Sequence, residues 1–172
     1  MILLYFKMIL SERGYHMPQI TKGGKYIFGW TEFKNGKIAI PDKVVHEYGL
    51  DSKYILLMES SKKSGGFCVT SEDLILKSKL SYLILEKTPV YENKKNIEKS
   101  FIENKKKYCW VKFDNIEKNI VITEKILNFF DVDSNCKFLI VRGSSLAFDC
   151  IVRGPIVEKA IYSDKKIVNY SK

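Results

Sequence analysis

Arginine is almost missing from this chain. Lysine and arginine together make 29 of its 172 residues, yet arginine stands only at positions 13, 142 and 153. Paired hydrogen bonds to guanine are mainly an arginine contact, so side chains suited to reading duplex sequence are scarce. Histidine is scarcer, with only His16 and His46. The four cysteines, Cys68, Cys109, Cys136 and Cys150, show no C-x-x-C spacing, whereas a zinc site needs closely spaced ligands. No metal and no other cofactor is therefore expected. The cysteines read as reduced thiols of a cytoplasmic protein, with Cys68 and Cys150 as small hydrophobes at equivalent strand positions. The apolar run Met1–Leu10 contains Lys7 and is too short to cross a bilayer, so no membrane partner is expected. Phosphate-binding P-loop, dinucleotide fingerprint and nucleophile elbow are all missing. Neither histidine has a carboxylate and nucleophile around it, and the chain does not read as an enzyme.

Lysine is what the chain has instead. Net charge is +9 and the isoelectric point is near 9.3, which favours a polyanion partner such as nucleic acid. Lysine, asparagine, isoleucine and tyrosine are all abundant, so an AT-rich gene accounts for the same charge without a nucleic-acid purpose.

The chain also repeats itself. Gly36–Asp51 (GKIAIPDKVVHEYGLD) returns as Lys118–Asp133 (KNIVITEKILNFFDVD), aligning Ile38 and Ile40 with Ile120 and Ile122, and Tyr48 with Phe130. Such self-similarity points to a duplicated unit. Each copy opens with the alternation of a half-buried strand and passes into a short helix. Pro41 suits the first helical position, Asp42 the first turn and Gly49 the left-handed residue past the helix end. In the second copy Thr123 can cap the helix, and Asp131 replaces Gly49 as a side chain that tolerates positive φ. Strands are expected at 26–33, 54–58 and 67–70, and again at 108–113, 137–141 and 147–152, with turns that carry glycine and serine. The fold class is thus mainly β with short helices, built from two β-β-α-β-β units. A unit of roughly fifty residues buries too little apolar surface to stand alone, so both should share one core.

The motif Gly36-Lys37-Ile38-Ala39-Ile40-Pro41, followed by Tyr48-Gly49-Leu50, resembles the AbrB/SpoVT family of swapped-hairpin DNA-binding domains. Ser60–Phe67, Arg142–Ala147 and Arg153–Ala160 resemble a two-unit bacterial branch of that family. The resemblance runs from about Lys25 to Ala160. It implies an intramolecular swapped-hairpin β-barrel, a fused pseudo-dimer that can still form further homo-oligomers. It also implies a transcriptional regulator with double-stranded DNA as partner. The family's basic strand position falls on Lys37; its two helix positions fall on Val45 and His46. The corresponding positions in the second unit are Asn119, Leu127 and Asn128. The candidate DNA contacts are Lys37, Lys43, His46, Lys118 and Lys125. The alternative is a module that keeps the barrel but acts on a protein or small ligand, through the apolar 71–85 region or the C-terminal helix.

Residues 1–16 read as an extension. Glu12-Arg13-Gly14 can be encoded as a ribosome-binding site ahead of Met17, which makes Met17 the expected start; an intact Met1 in the mass of the native protein would refute this. Residues 17–85 then form the first unit with a helix expected over 71–80, starting at Ser71. Residues 86–106 form a Lys-rich linker, read either as a solvated tether or as a basic arm for phosphates. Residues 107–172 form the second unit with a C-terminal helix from Gly154-Pro155. A further candidate is an anion-binding loop at Lys62, Lys63, Ser64, Gly65 and Gly66, against the plainer reading of a hairpin turn.

Overall fold

The computed structural model describes residues 24–171; the expectations for residues 1–16 and for His16 lie outside them. In chain order the elements are β1 (Ile27–Lys34), β2 (Lys37–Ala39), α1 (Asp42–Glu47), β3 (Tyr54–Glu59) and β4 (Phe67–Thr70). Then come α2 (Glu72–Leu76), α3 (Tyr82–Leu85), α4 (Pro89–Asn93) and β5 (Ser100–Glu103). The last are β6 (Lys106–Asp114), β7 (Asn119–Val121), α5 (Glu124–Phe129), β8 (Lys137–Arg142), β9 (Phe148–Ile151) and α6 (Pro155–Ile161). Eight strands run β3-β4-β9-β8-β1-β2-β7-β6 and close because β6 pairs back onto β3, giving an antiparallel barrel. β5 adds to β6 from outside the ring.

Hairpins from the two ends of the chain alternate around this barrel, so every second seam joins distant residues. Ile38 lies opposite Ile120 where β2 meets β7. The Ile40 amide donates to the Lys118 carbonyl (2.9 Å) and the Ile122 amide to the Gly36 carbonyl (3.0 Å). Alternate residues of the short strands point inward. Ile38, Ile55, Leu57, Val111, Ile120, Phe138 and Ile140 thereby form one buried core with Tyr48, Phe130 and Leu127 from around the helices.

β3 and β8 are buried on their outer faces as well, which is why they read as nearly continuous apolar runs. Leu56 and Trp110 lie beneath α2, α3 and α4 with Ile75, Ile84 and Val90. Leu139, Val141 and Ile151 lie beneath α6, beside Trp30 and Ile167.

The helix-end signals map onto the structure at particular residues. The Ser71 hydroxyl accepts from the Leu74 amide and the Thr123 hydroxyl from the Ile126 amide, each at 3.3 Å. Asp131 takes φ 57° where Gly49 takes 55°. Pro41 stands one place earlier than expected, as the N-cap of α1. α2 stops at Leu76 instead of 80. The Ser78 hydroxyl donates to the Ile75 carbonyl (2.7 Å), a local bond that competes with helix continuation. The stretch 86–106 links the halves but is folded: it holds α4 and β5, and Val90 is buried. Cys68 and Cys150 are not at matching register positions. Cys68 pairs with Met58, whereas Val141, which aligns with Met58 in the repeat, pairs with Asp149 and not with Cys150. No helix among the described residues is long and apolar enough to cross a membrane.

Candidate nucleic-acid interface

A two-residue turn sets the outer face of the β1–β2 hairpin. Asn35 and Gly36 both take positive φ (52° and 75°), the pairing that a two-residue hairpin with native twist requires. The turn places Lys34 opposite Lys37. Lys37 lies opposite Val121, Val121 opposite Lys112, and Lys112 opposite Tyr54. Residues paired across a sheet share a face, and the next residue along each strand takes the other. Phe33, Ile38, Ile120 and Phe113, the neighbours of this row, pack in or against the core. The row Lys34–Lys37–Val121–Lys112–Tyr54 therefore faces out across five strands. All three lysines are exposed, and none joins an ion pair among the described residues. Lys53 extends the row, its ammonium 5.6 Å from the Tyr54 ring centroid.

The next outward row has the opposite character. Ala39 lies opposite Asn119 and Asn119 opposite Asp114. Glu32 and Glu117 line one shallow groove of about 390 Å³ with Lys34, Lys37, Ala39 and Asn119. The Asp114 carboxyl is held below its ordinary value, chiefly by accepting from the Glu117 amide, then from the Ile116 amide and through the charge of Lys37. Both amide contacts are 3.0 Å long. One row is thus cationic, and the neighbouring one carries Glu32 and Asp114 against one lysine, Lys137, opposite Glu32.

No family model, curated protein or solved structure matches this chain. The interface rests on its own geometry.

Of the sequence candidates, Lys37 stands in the cationic row. Lys118 forms an ion pair with Asp42 (2.7 Å). Lys43 donates to the Tyr26 hydroxyl and sits 4.4 Å from that ring's centroid. His46 and Lys125 are exposed on α1 and α5. Two of the four helix positions that the family resemblance marks as basic are spent on packing, Leu127 buried and Val45 partly buried against the core, while His46 and Asn128 stay exposed. Lys34 and Lys112 were not legible as partners of Lys37, since only strand register brings Lys112 beside β7. The Asn35-Gly36 dipeptide was the one signal that could have placed Lys34.

The 60–66 loop is packed against the strand end that faces it. The Ser64 carbonyl accepts from the Val152 and Arg153 amides (3.1 and 3.0 Å), and the Arg153 guanidinium donates to the Lys62 carbonyl (2.9 Å). The groove beside the loop, about 230 Å³, is lined by Glu59 and Asp131 as well as Arg153. Carboxylates lining that groove oppose an anion.

Arg142 is also committed elsewhere. Its guanidinium grips both Glu47 oxygens (2.6 and 2.9 Å) and lies 4.3 Å from the Tyr26 ring centroid. This hydrogen-bonded pairing is the main reason that the Glu47 carboxyl is held low. A depressed carboxyl stabilises the fold above the ordinary carboxylate range and loses that contribution as pH falls through its folded pKa. Arg142→Ala should cost about 1 kcal/mol at pH 7, since the pair is partly exposed. In urea melts the gap to the parent should narrow toward pH 3; a gap that widens there would reject the pairing as its source.

Burial pushes the Cys68 thiol up to about 12 and the Cys109 thiol to about 11, so neither is a nucleophile at neutral pH. Among the described residues no His, Cys, Asp and Glu cluster could hold a metal ion.

Proposed function

We propose that this chain is a nucleic-acid-binding protein of regulatory, AbrB/SpoVT-like type that grips the phosphate backbone with lysines. The observation that carries the reading is the exposed row of Lys34, Lys37 and Lys112, unneutralised by any ion pair among the described residues. The net charge of +9 supports it. So does the alternation of hairpins, which is the order that a duplicated swapped-hairpin pseudo-dimer would produce. Lysine contacts of this kind position a polymer and carry little sequence information. Arg142 and Arg153 already hold partners within the protein.

Fluorescence anisotropy with labelled oligonucleotides at several salt concentrations tests the reading. Lys37→Ala should weaken binding several-fold and lower the salt slope by about one. Unchanged affinity would remove the row from the interface. A protein-interaction module is the second reading, favoured by Leu76, Leu80, Tyr82 and Leu85, which are all exposed on the α2–α3 segment. No binding of any nucleic acid at low salt would shift the weight to that surface.

A further inference from the structure

We infer that the polymer held by this face is single-stranded. The inference rests on the reading above and concerns which nucleic acid the lysine row accepts.

A duplex presents two phosphate rows, one on each side of a groove. The minor groove is about 6 Å wide and the major groove about 12 Å. On this face, one step between outward-facing residues along a strand is about 7 Å. A duplex that set one backbone on Lys34, Lys37 and Lys112 would therefore bring the other, across its minor groove, onto the next row. That row offers Ala39, Asn119 and Asp114, with Glu117 in the same groove and Glu32 opposite the exposed Lys137. Across the major groove the second backbone would reach the neighbouring cavity of about 570 Å³, where Asp42 and Glu117 stand beside Lys43 and Lys118. There the Lys118 charge is already taken by Asp42. Across the minor groove the second backbone meets a row with more carboxylates than lysines, and across the major groove it meets two lysines balanced by two carboxylates, so neither setting matches the cationic row.

The sequence repeat sharpens the contrast. It aligns Lys37 with Asn119 and Ala39 with Val121. Applying that equivalence to the strand register sets Lys34 against Asp114, and Lys112 against Glu32. A face that gripped two symmetry-related backbones would carry lysine at both members of each pair.

A single strand needs only one cationic track, ending on a surface where bases stack. From Lys34 to Tyr54 the row crosses four inter-strand gaps, about 19 Å. That suits a site of roughly four nucleotides, at the short end for such grooves. The partly buried Tyr54 ring, packed against the Leu56–Trp110 cluster, ends the track, and stacking on an aromatic ring is tolerant of base identity.

The test uses the full chain and three labelled probes: a 12-nucleotide oligo-dT, a 12-nucleotide oligo-U and a mixed-sequence duplex of the same length. The single strands should bind about tenfold or more tightly than the duplex, with a log–log salt slope of about −2 for three lysines. Lys112→Glu should cut single-strand affinity about tenfold, with an unchanged melting temperature confirming that the variant folds. Glu32→Lys, which places a cation in the second row, should raise duplex affinity more than single-strand affinity. A preference between oligo-dT and oligo-U would tell DNA from RNA, and either supports the inference. Duplex binding as tight as single-strand binding would overturn it while leaving the broader reading intact. Single-strand binding indifferent to Lys112→Glu would overturn it as well. Failure to bind any probe would overturn both.

Discussion

Trp110→Ala should destabilise the barrel by about 3–5 kcal/mol, the usual range for deleting a buried tryptophan. The side chain is fully buried, and its Nε1 donates to the Val90 carbonyl at 3.0 Å. Leu56, Ile75 and Ile84 close around it. Truncation would leave both a cavity and a buried carbonyl without its donor, two separate penalties. A domain's whole stability is about 5–15 kcal/mol, so the variant should melt far earlier in urea. Trp110→Phe, which keeps part of the volume but not the donor, should fall between variant and parent. Trp30→Ala is expected to cost less, because Trp30 is only partly buried and lines an open cavity beside α6. A loss under about 1 kcal/mol at Trp110 would mean that α2, α3 and α4 do not seal this wall.

Gly66→Ala should be comparably severe, costing about 3 kcal/mol or more. A Cβ there would lie 2.0 Å from the Cys150 carbonyl oxygen, and the backbone sits at φ 76°. The neighbouring pair, Phe67 opposite Cys150, is where β4 is stitched to β9. No side-chain rotation relieves a clash with backbone, so that seam must open. Gly49→Ala is the matched control: φ is 55° and nothing lies within 4 Å of the added carbon. It should cost only about 1–2 kcal/mol, the left-handed penalty alone. Equal melting temperatures for the two variants would show that β4 and β9 do not approach so closely.

The glycine pair shows how far the sequence could be read. Gly65-Gly66 beside two lysines looks locally like an anion cradle. Its actual surroundings come from β9 and Arg153, which lie far along the chain. The helix ends were legible because their determinants are local: Ser71 and Thr123 act within three residues of themselves. The alternating apolar positions were legible for the same reason. Lys112 was not, since its place beside the β2 hairpin exists only after β7 has paired on both sides. Nor was the packing of 86–106. Its polar composition hides Val90 and Phe101, which respectively accept the indole bond and stack on Tyr108 at 5.4 Å.

The alternating hairpins also dictate when this protein can fold. Lys25 and Asp149, 124 positions apart, meet at 3.0 Å, and β1 waits for β8 as its partner. Loop closure over such distances must precede any reward from contact, which slows folding relative to local topologies. At about 5–20 residues per second, a ribosome needs roughly 5–22 s to deliver the partner after β1 has emerged. During that interval the β1–β2 hairpin exposes Phe28, Trp30 and a bare strand edge. The nascent first half is therefore the aggregation-prone species, and it is the state that a chaperone would meet.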